Sequence, residues 1–413
     1  MNAHTPLPSP SGLRSDFPGL TTADGERWHY LDTGATAQKP QAVIDAMSRA
    51  MGADYATVHR GVYARSAEMT RSFEAARERT ARFIGAASAD EVVFTKGATE
   101  GINLVAQSWG ADTLKTGDRI MLSALEHHSN IVPWQMLATQ VGAHIDVCPL
   151  TEDHRIDLDW LEANLTEAHK LVALAHVSNV LGSVLGAKRA AKAAHKVGAK
   201  LLLDGCQSAP RMRLNMAELD CDFFVFSGHK LYGPTGIGVL WACKDILDNM
   251  PPYQGGGAMI DKVSFEGTTY APAPQRFEAG TPMIAEAIAL HAAIDYTEAA
   301  GGAGGMEQLF AHEAALVTKT RDALRARNDV TLYGPDKSAG IVSFALDGVH
   351  PHDLGTILDE ERVAIRAGHH CAQPLMAQLG VTATARASFG LYSDESDIEA
   401  LLRGIDRTRK IFG

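Results

Sequence analysis

Three short runs of the chain, "LVALAHV" (171–177), "AKLLLD" (199–204) and "CDFFVF" (221–226), are apolar almost from end to end. A strand with one wet face alternates polar and apolar residues, whereas a run apolar throughout needs cover on both faces. Between the first two runs, "RAAKAAHKVGAK" (189–200) reads as a helix that stops near Gly198. Buried strands separated by helices make crossover units, and crossover units build an α/β fold with a mostly parallel sheet. Two more strands, "EVVFT" (91–95) and "DRIMLS" (118–123), extend the pattern. "EMTRSFEAARERTARFIG" (68–85) places Met69, Phe73, Ala76 and Phe83 at helical spacing, and "INLVAQSW" (102–109) predicts a helix after the turn "KGATEG".

The pattern changes after a Gly-rich stretch, "YQGGGAMI" (253–260), and a Pro-broken one, "YAPAPQRFEAGTP" (270–282). A long helix (285–300) leads to shorter elements: "GIVSFAL" (340–346), the helix "DLGTILDEE" (353–361) and the strand "VAIRAG" (363–368). With 413 residues the chain has room for two domains. The expected division is an N-terminal arm over 1–25 that packs with the smaller domain, a large domain over 26–282, and a small C-terminal domain over 283–413. A formal charge of −11 without long charged blocks argues against nucleic acid or an anionic membrane as partner. No apolar run is long enough to span a bilayer, and the start has no basic stretch followed by an apolar one. The five cysteines form no C-x-x-C pair. A reducing, cytoplasmic protein without a disulfide framework or bound metal is expected.

The chemistry gathers at strand ends. Ala98 and Thr99 follow "VVF", Asn179 follows "LAHVS", Asp204 ends "LLLD", and Ser227, His229 and Lys230 follow "FVF". Open α/β sheets bind ligands at the carboxyl ends of their strands. The turn "TKGATEG" is either a plain helix cap or a phosphate cradle. Asp204 is either a cap for the next helix or a fixed negative charge for a protonated ring nitrogen. Lys230, twenty-six residues later, is either a surface lysine or an amine that forms a Schiff base. Taken jointly, Asp204, Lys230 and the hydroxyl and imidazole donors beside it fit pyridoxal phosphate. Cys371 lies in "RAGHHCAQP", beside Arg366, His369 and His370. It is either a small buried hydrophobe or a thiolate in an electropositive loop. The other four cysteines sit in apolar or small-residue runs and read as structural.

With "EHHSNIVPWQ", "HVSNVLG", "SGHKLYGPTGIG", "RFEAGTP" and "RAGHHCAQPLM" in order, the chain from Tyr30 onward resembles the SufS-type (group II) cysteine desulfurases of the class V aminotransferase superfamily. The resemblance implies pyridoxal-phosphate-dependent transferase fold type I, with a seven-stranded sheet in the large domain. It implies that L-cysteine becomes L-alanine while the sulfur stays as a persulfide on Cys371, for iron–sulfur cluster assembly. Lys230 matches the lysine that carries the cofactor, His127 the histidine stacked on its ring, Asp204 the ring-nitrogen partner and Gln207 the residue near its phenolic oxygen. Ala98, Thr99, Ser227 and His229 match the phosphate site, and Thr281 matches a phosphate ligand from the other subunit of a homodimer. Asn179, Arg386, Arg366 and His59 match substrate-binding positions. Cys206 stands beside the cofactor where small residues are usual. A SufE-like or SufU-like protein is the implied sulfur acceptor. His352, nineteen residues before Cys371, either exchanges a zinc ligand with such a partner or caps the helix that follows. The nearest alternatives are a selenocysteine lyase, which would take L-selenocysteine, and an aminotransferase-like enzyme with no use for Cys371. A non-enzymatic scaffold would have no need of Lys230 or Asp204.

Overall fold

The computed structural model describes residues 13–412; of the arm expected over 1–25, residues 1–12 lie outside the described residues. Seven strands form the main sheet: β1 (Val92–Thr95), β2 (Arg119–Ser123), β3 (His144–Cys148), β4 (His169–Ala175), β5 (Lys200–Asp204), β6 (Phe223–Ser227) and β7 (Gly238–Ala242). Their spatial order is β1-β7-β6-β5-β4-β2-β3. Four of the six pairings are parallel, and β7 runs antiparallel to both of its neighbours. Because β7 is the one reversed strand, the carboxyl ends of β1, β4, β5 and β6 all reach the same edge. The topology thus brings together groups that lie more than a hundred residues apart.

The expected strands are present, and their burial explains their composition. Every residue of β6 is buried, as are four of the five in β5. Helix Ala187–Lys196 lays five buried alanines on the sheet and stops before Gly198, whose φ is +78°. Alanines let the helix approach closely, and glycine accepts the left-handed turn. β3 and β7 were not among the strands picked out from the residues. β3 is an edge strand with exposed His144 and Val147, so its apolar signal is diluted. β7 begins inside the Gly-rich run that follows Lys230.

The smaller lobe carries a four-stranded antiparallel sheet in the order Val330–Tyr333, Ile341–Leu346, Thr384–Ser388, Arg366–Gly368. "VAIRAG", expected as one strand, serves two partners. Val363–Ala364 pairs in parallel with His29–Tyr30, and Arg366–Gly368 pairs with Thr384–Ser388. The long helix Ile284–Ala300 packs on helices Gln41–Met51 and Ala64–Ile84 of the larger lobe. Arg14 reaches the carbonyl of Tyr392, and Phe17 packs its ring against Tyr232, Tyr296 and Tyr392.

Candidate active site

A cavity of about 260 Å³ lies at the shared strand edge. From the larger lobe it receives Ala98, Thr99, His127, Asn179, Asp204, Gln207, Ser227, His229 and Lys230. From the smaller lobe it receives Arg366, His370, Cys371 and Arg386. Thirteen positions drawn from both lobes therefore share one space, which no segment of the sequence could announce by itself.

The floor is built by backbone geometry. Gly238, at the start of β7, lies against Gly97, so that a Cβ on it would sit 2.4 Å from Gly97 Cα. This approach sets the turn that starts helix Ala98–Val105, and the Ala98 amide donates to Ser227 Oγ at 2.9 Å. Free amides at a helix start, with hydroxyls beside them, suit a phosphate. His229 Nδ1 lies 3.1 Å from Thr36 Oγ1, and burial together with Lys230 holds the imidazole down to about 4, hence neutral.

Asp204 is buried, and its Oδ1 accepts the Cys206 amide at 3.0 Å. That leaves a fixed carboxylate facing the cavity. Burial pushes the neighbouring Cys206 thiol up to about 12, so it stays protonated; its Sγ lies 3.8 Å from Ser227 Oγ. His127 accepts the Ser129 amide on Nδ1 at 3.1 Å. Burial and the nearby Lys230 hold its ring down to about 4. An uncharged imidazole presents a face on which an electron-poor ring stacks without charge repulsion. Gln207 lines the cavity with both ends of its amide engaged: it donates to the Gly34 carbonyl at 2.6 Å and accepts from Arg211 at 2.8 Å.

Cys371 is exposed, whereas Cys148, Cys206 and Cys221 are buried and Cys243 is half-buried. The reading of Cys371 as a buried hydrophobe is thereby corrected. It ends a left-handed stretch, with φ of +122° at Gly368, +53° at His370 and +55° at Cys371. Non-glycine residues adopt this region at a cost of about 1 kcal/mol or more each, and persist there only when pinned. The pins are present. The His128 amide donates to the Cys371 carbonyl at 2.8 Å, and the Gln373 amide donates to His128 Nε2 at 3.1 Å. Asn179 Nδ2 donates to the His370 carbonyl at 2.8 Å, and His370 Nε2 lies 2.9 Å from Thr384 Oγ1. The thiol is thus carried on a short, tethered loop.

Arg386 is 2% exposed and donates to the Asn179 carbonyl at 2.7 Å and to Asp32 Oδ1 at 3.0 Å. Among the described residues, its buried Nε has no partner. A buried, unused guanidinium N–H in a cavity is an unmet demand for an acceptor. Arg366 sits directly across the strand pair from Arg386 and also holds Asp32. Asp32 and His128 are the contributors that sequence reasoning missed; His370, noted there only as a neighbour of Cys371, also lines the cavity. Asp32 lies in "YLDTGATAQKP", but nothing local distinguishes it from a surface aspartate.

Two expected site residues lie elsewhere. His59 and Thr281 line a separate cavity of about 320 Å³ together with Gly257. One polar network ties their segments together: His59 Nε2 lies 2.8 Å from Glu74, Glu74 pairs with buried Arg77 at 3.1 Å, and Arg77 pairs with Glu278 at 2.6 Å. His352 is exposed at the start of helix Pro351–Glu360. It does not cap that helix: His350 does, accepting the His352 amide, and the two rings stack at 5.3 Å.

The donor set fits pyridoxal phosphate: an anion cradle at a helix start, an uncharged ring for stacking, a fixed carboxylate and an amine, all on one cavity. The sequence comparisons agree with this class. The aminotransferase class-V family model matches residues 29–401. The chain is 47% identical over 414 residues to a probable cysteine desulfurase of Halalkalibacterium halodurans, covering 100% of this chain and 99% of that one. It is 47% identical to a cysteine desulfurase of Cronobacter sakazakii, covering 97% and 98%. Its fold superposes on the crystal structure of the cysteine desulfurase CsdA from Escherichia coli with a TM-score of 0.91 at 40% identity, covering 98% and 99%. The chain belongs to the aminotransferase class-V family.

Proposed function

We propose that this protein is a pyridoxal-phosphate-dependent cysteine desulfurase, which converts L-cysteine to L-alanine and keeps the sulfur as a persulfide on Cys371. The observation that carries this is the meeting of an exposed, tethered cysteine from one lobe with Lys230 and Asp204 from the other, in a single cavity. An aminotransferase would need the amine and the carboxylate but not the thiol.

When bound, pyridoxal phosphate supplies an electron sink for charge developing at the substrate's α-carbon. Ala98, Thr99, Ser227 and His229 would hold its phosphate, Asp204 its ring nitrogen and Lys230 its aldehyde carbon. Arg386 takes the substrate carboxylate on its free Nε and so aims the β-carbon and sulfur toward the smaller lobe. Lys230, whose amine lines the same cavity, would take the α-proton. The Cys371 thiolate then attacks the substrate sulfur; an S–S bond forms as the C–S bond breaks, the electron pair returns to the β-carbon, and alanine leaves after protonation.

The finer reading follows the same residues. The enzyme is a homodimer in which His59 and Thr281 complete the partner's site, which accounts for their distance from Lys230. The loop around Cys371 is short and pinned, so the persulfide waits at the cavity mouth for a SufE-like or SufU-like acceptor serving cytoplasmic iron–sulfur assembly. Cysteine alone then turns over slowly. His352, solvent-facing and free of a capping role, is available to a zinc-bearing acceptor.

The test is production of alanine and persulfide from L-cysteine by wild type and Lys230→Ala. The variant keeps the cofactor non-covalently and makes no alanine. Wild-type alanine formation by Lys230→Ala would refute the assignment.

A further inference from the structure

On the proposed reading of the site, Gln207 stands beside the phenolic oxygen of pyridoxal phosphate, and what it offers there is set by a group behind it. Gln207 is buried and lines the cavity together with Gly34. Arg211 Nη1 donates to Gln207 Oε1 at 2.8 Å and to the Gln207 carbonyl at 3.0 Å. Gln207 Nε2 donates to the Gly34 carbonyl at 2.6 Å. A guanidinium can only donate and a carbonyl can only accept. Both neighbours therefore demand the same orientation of the amide, with its oxygen on Arg211 and its NH2 group on Gly34. That NH2 group carries a second hydrogen, which is what Gln207 can offer to an oxygen in the cavity.

Arg211 is in turn held by the smaller lobe. Its Nε lies 2.8 Å from Glu313 Oε2, on helix Gly305–Arg325, and both side chains are 2% exposed. The two atoms meet off the line of a hydrogen bond, as a charge contact. Arg211 Nη2 donates to the Phe389 carbonyl at 3.4 Å. Gly340, with φ of +63°, leaves room for the pair, since a Cβ there would collide with Glu313 Oε2 and Arg211 Nε alike. Burial pushes the Glu313 carboxyl up to about 7 against the pull of Arg211, so above that pH the buried pair is neutral. The other ionisable groups felt by the pair are Arg386, which is paired with Asp32, and Tyr232, which burial and Glu313 keep protonated. An amide with a guanidinium on its oxygen is a stronger N–H donor. A donor at the phenolic oxygen stabilises negative charge there, and so favours the cofactor chromophore that has lost its proton. We propose that Arg211 is a positioning residue for the cofactor: it fixes Gln207 as a donor to the phenolic oxygen, and the charge balance between Arg211 and Glu313, across the two lobes, sets the strength of that donor.

The test uses holoenzyme and reads the ratio of the protonated to the unprotonated cofactor absorbance band at pH 8, where Glu313 carries its charge. Glu313→Gln keeps the shape, removes the anion and leaves Arg211 unbalanced. The ratio should fall by about threefold or more, the scale of one charge change behind a buried side chain. Arg211→Met combined with Glu313→Leu removes the pair as a unit and leaves no buried charge unpaired. Here the ratio should rise by about threefold or more. A packing role would move both variants in the same direction. Gln207→Leu should also raise the ratio, and in that background Glu313→Gln should have no effect. If Glu313→Gln does not fold, the double variant carries the test, since it must raise the ratio as Gln207→Leu does. Shifts of the same sign, a ratio in the double variant equal to that of wild type, or a Glu313→Gln shift that survives loss of Gln207 overturns the role of Arg211. An unchanged ratio in Gln207→Leu would instead fail the placement of Gln207, and a wild type without cofactor absorbance would fail the reading of the site, each taking the inference with it.

Discussion

A methyl group added at Gly238 should loosen the cofactor without replacing any polar side chain of the site. The Cβ of Gly238→Ala would lie 2.4 Å from Gly97 Cα, 2.7 Å from its carbonyl carbon and 2.9 Å from its nitrogen. All three are backbone atoms, so no side chain can rotate away. Ordinary contact begins near 3.4 Å, which requires about 1 Å of movement. Gly238 is paired with Thr95 on one side and Ser227 on the other, so β7 cannot shift without losing ladder bonds. The turn at Gly97 must give instead, and it carries Ala98. The bond from the Ala98 amide to Ser227 Oγ, now 2.9 Å, would stretch to about 3.9 Å, beyond hydrogen-bond length. Overpacking of this kind costs about 1–3 kcal/mol in stability. If that displacement of the turn also costs one charge-assisted bond to the cofactor's phosphate, binding falls by about 1.5–3 kcal/mol, or roughly 10- to 150-fold in cofactor affinity. The assay is titration of apoprotein with pyridoxal phosphate, alongside urea unfolding. Gly267→Ala, with nothing within 4 Å of the added Cβ, is the control and should match wild type. If Gly238→Ala binds the cofactor within about twofold of wild type, the backbone contact does not set the cradle.

Cys371→Ser should abolish persulfide formation and leave the cofactor absorbance nearly unchanged, because a serine alkoxide is scarcely populated at neutral pH; loss of sulfur transfer in Cys206→Ser instead would point to the wrong cysteine. Mixed dimers of Lys230→Ala and Thr281→Asp should recover about a quarter of wild-type activity, since half of the random dimers are mixed and each has one intact site. A fully active monomer in sedimentation would contradict the shared site. His176, 3% exposed, is held down to about 4 by burial, below its unfolded value near 6.5. The unfolded chain therefore takes up a proton that the native protein refuses, and stability falls as pH drops from about 6.5 toward 4. At pH 5 this amounts to about 2 kcal/mol, so urea unfolding of His176→Gln should lose that much less than wild type between pH 7 and pH 5; equal losses would refute it.

The α/β fold and most of the chemistry were legible in the sequence because both are local. Runs such as "DFFVF" are apolar throughout only if both faces are covered, and β6 is indeed buried at every position. Lys230, Asp204 and Cys371 stand in long, specific motifs. The strand "VAIRAG" was legible as a strand but not as two, because the choice of partner is made by His29–Tyr30 and Thr384–Ser388, far away in the chain. The same holds for the helix at 351–360, whose cap is His350 and not His352; either residue type could cap, and backbone placement chose between them.

What the sequence could not supply is the convergence. Asp32 and Arg386 are 354 residues apart, and His128 meets the Cys371 loop across a gap of more than 240. Such contacts follow from sheet order and from the docking of two lobes, and no short stretch of sequence encodes either. The ion pair of Asp32 with Arg386, the exposure of Cys371, and the separation of His59 and Thr281 from Lys230 are all of this kind. The sequence determined which chemical groups the chain carries and which strand ends they follow. The tertiary structure alone decided which groups share one cavity, because burial and pairing act between segments that the chain keeps apart.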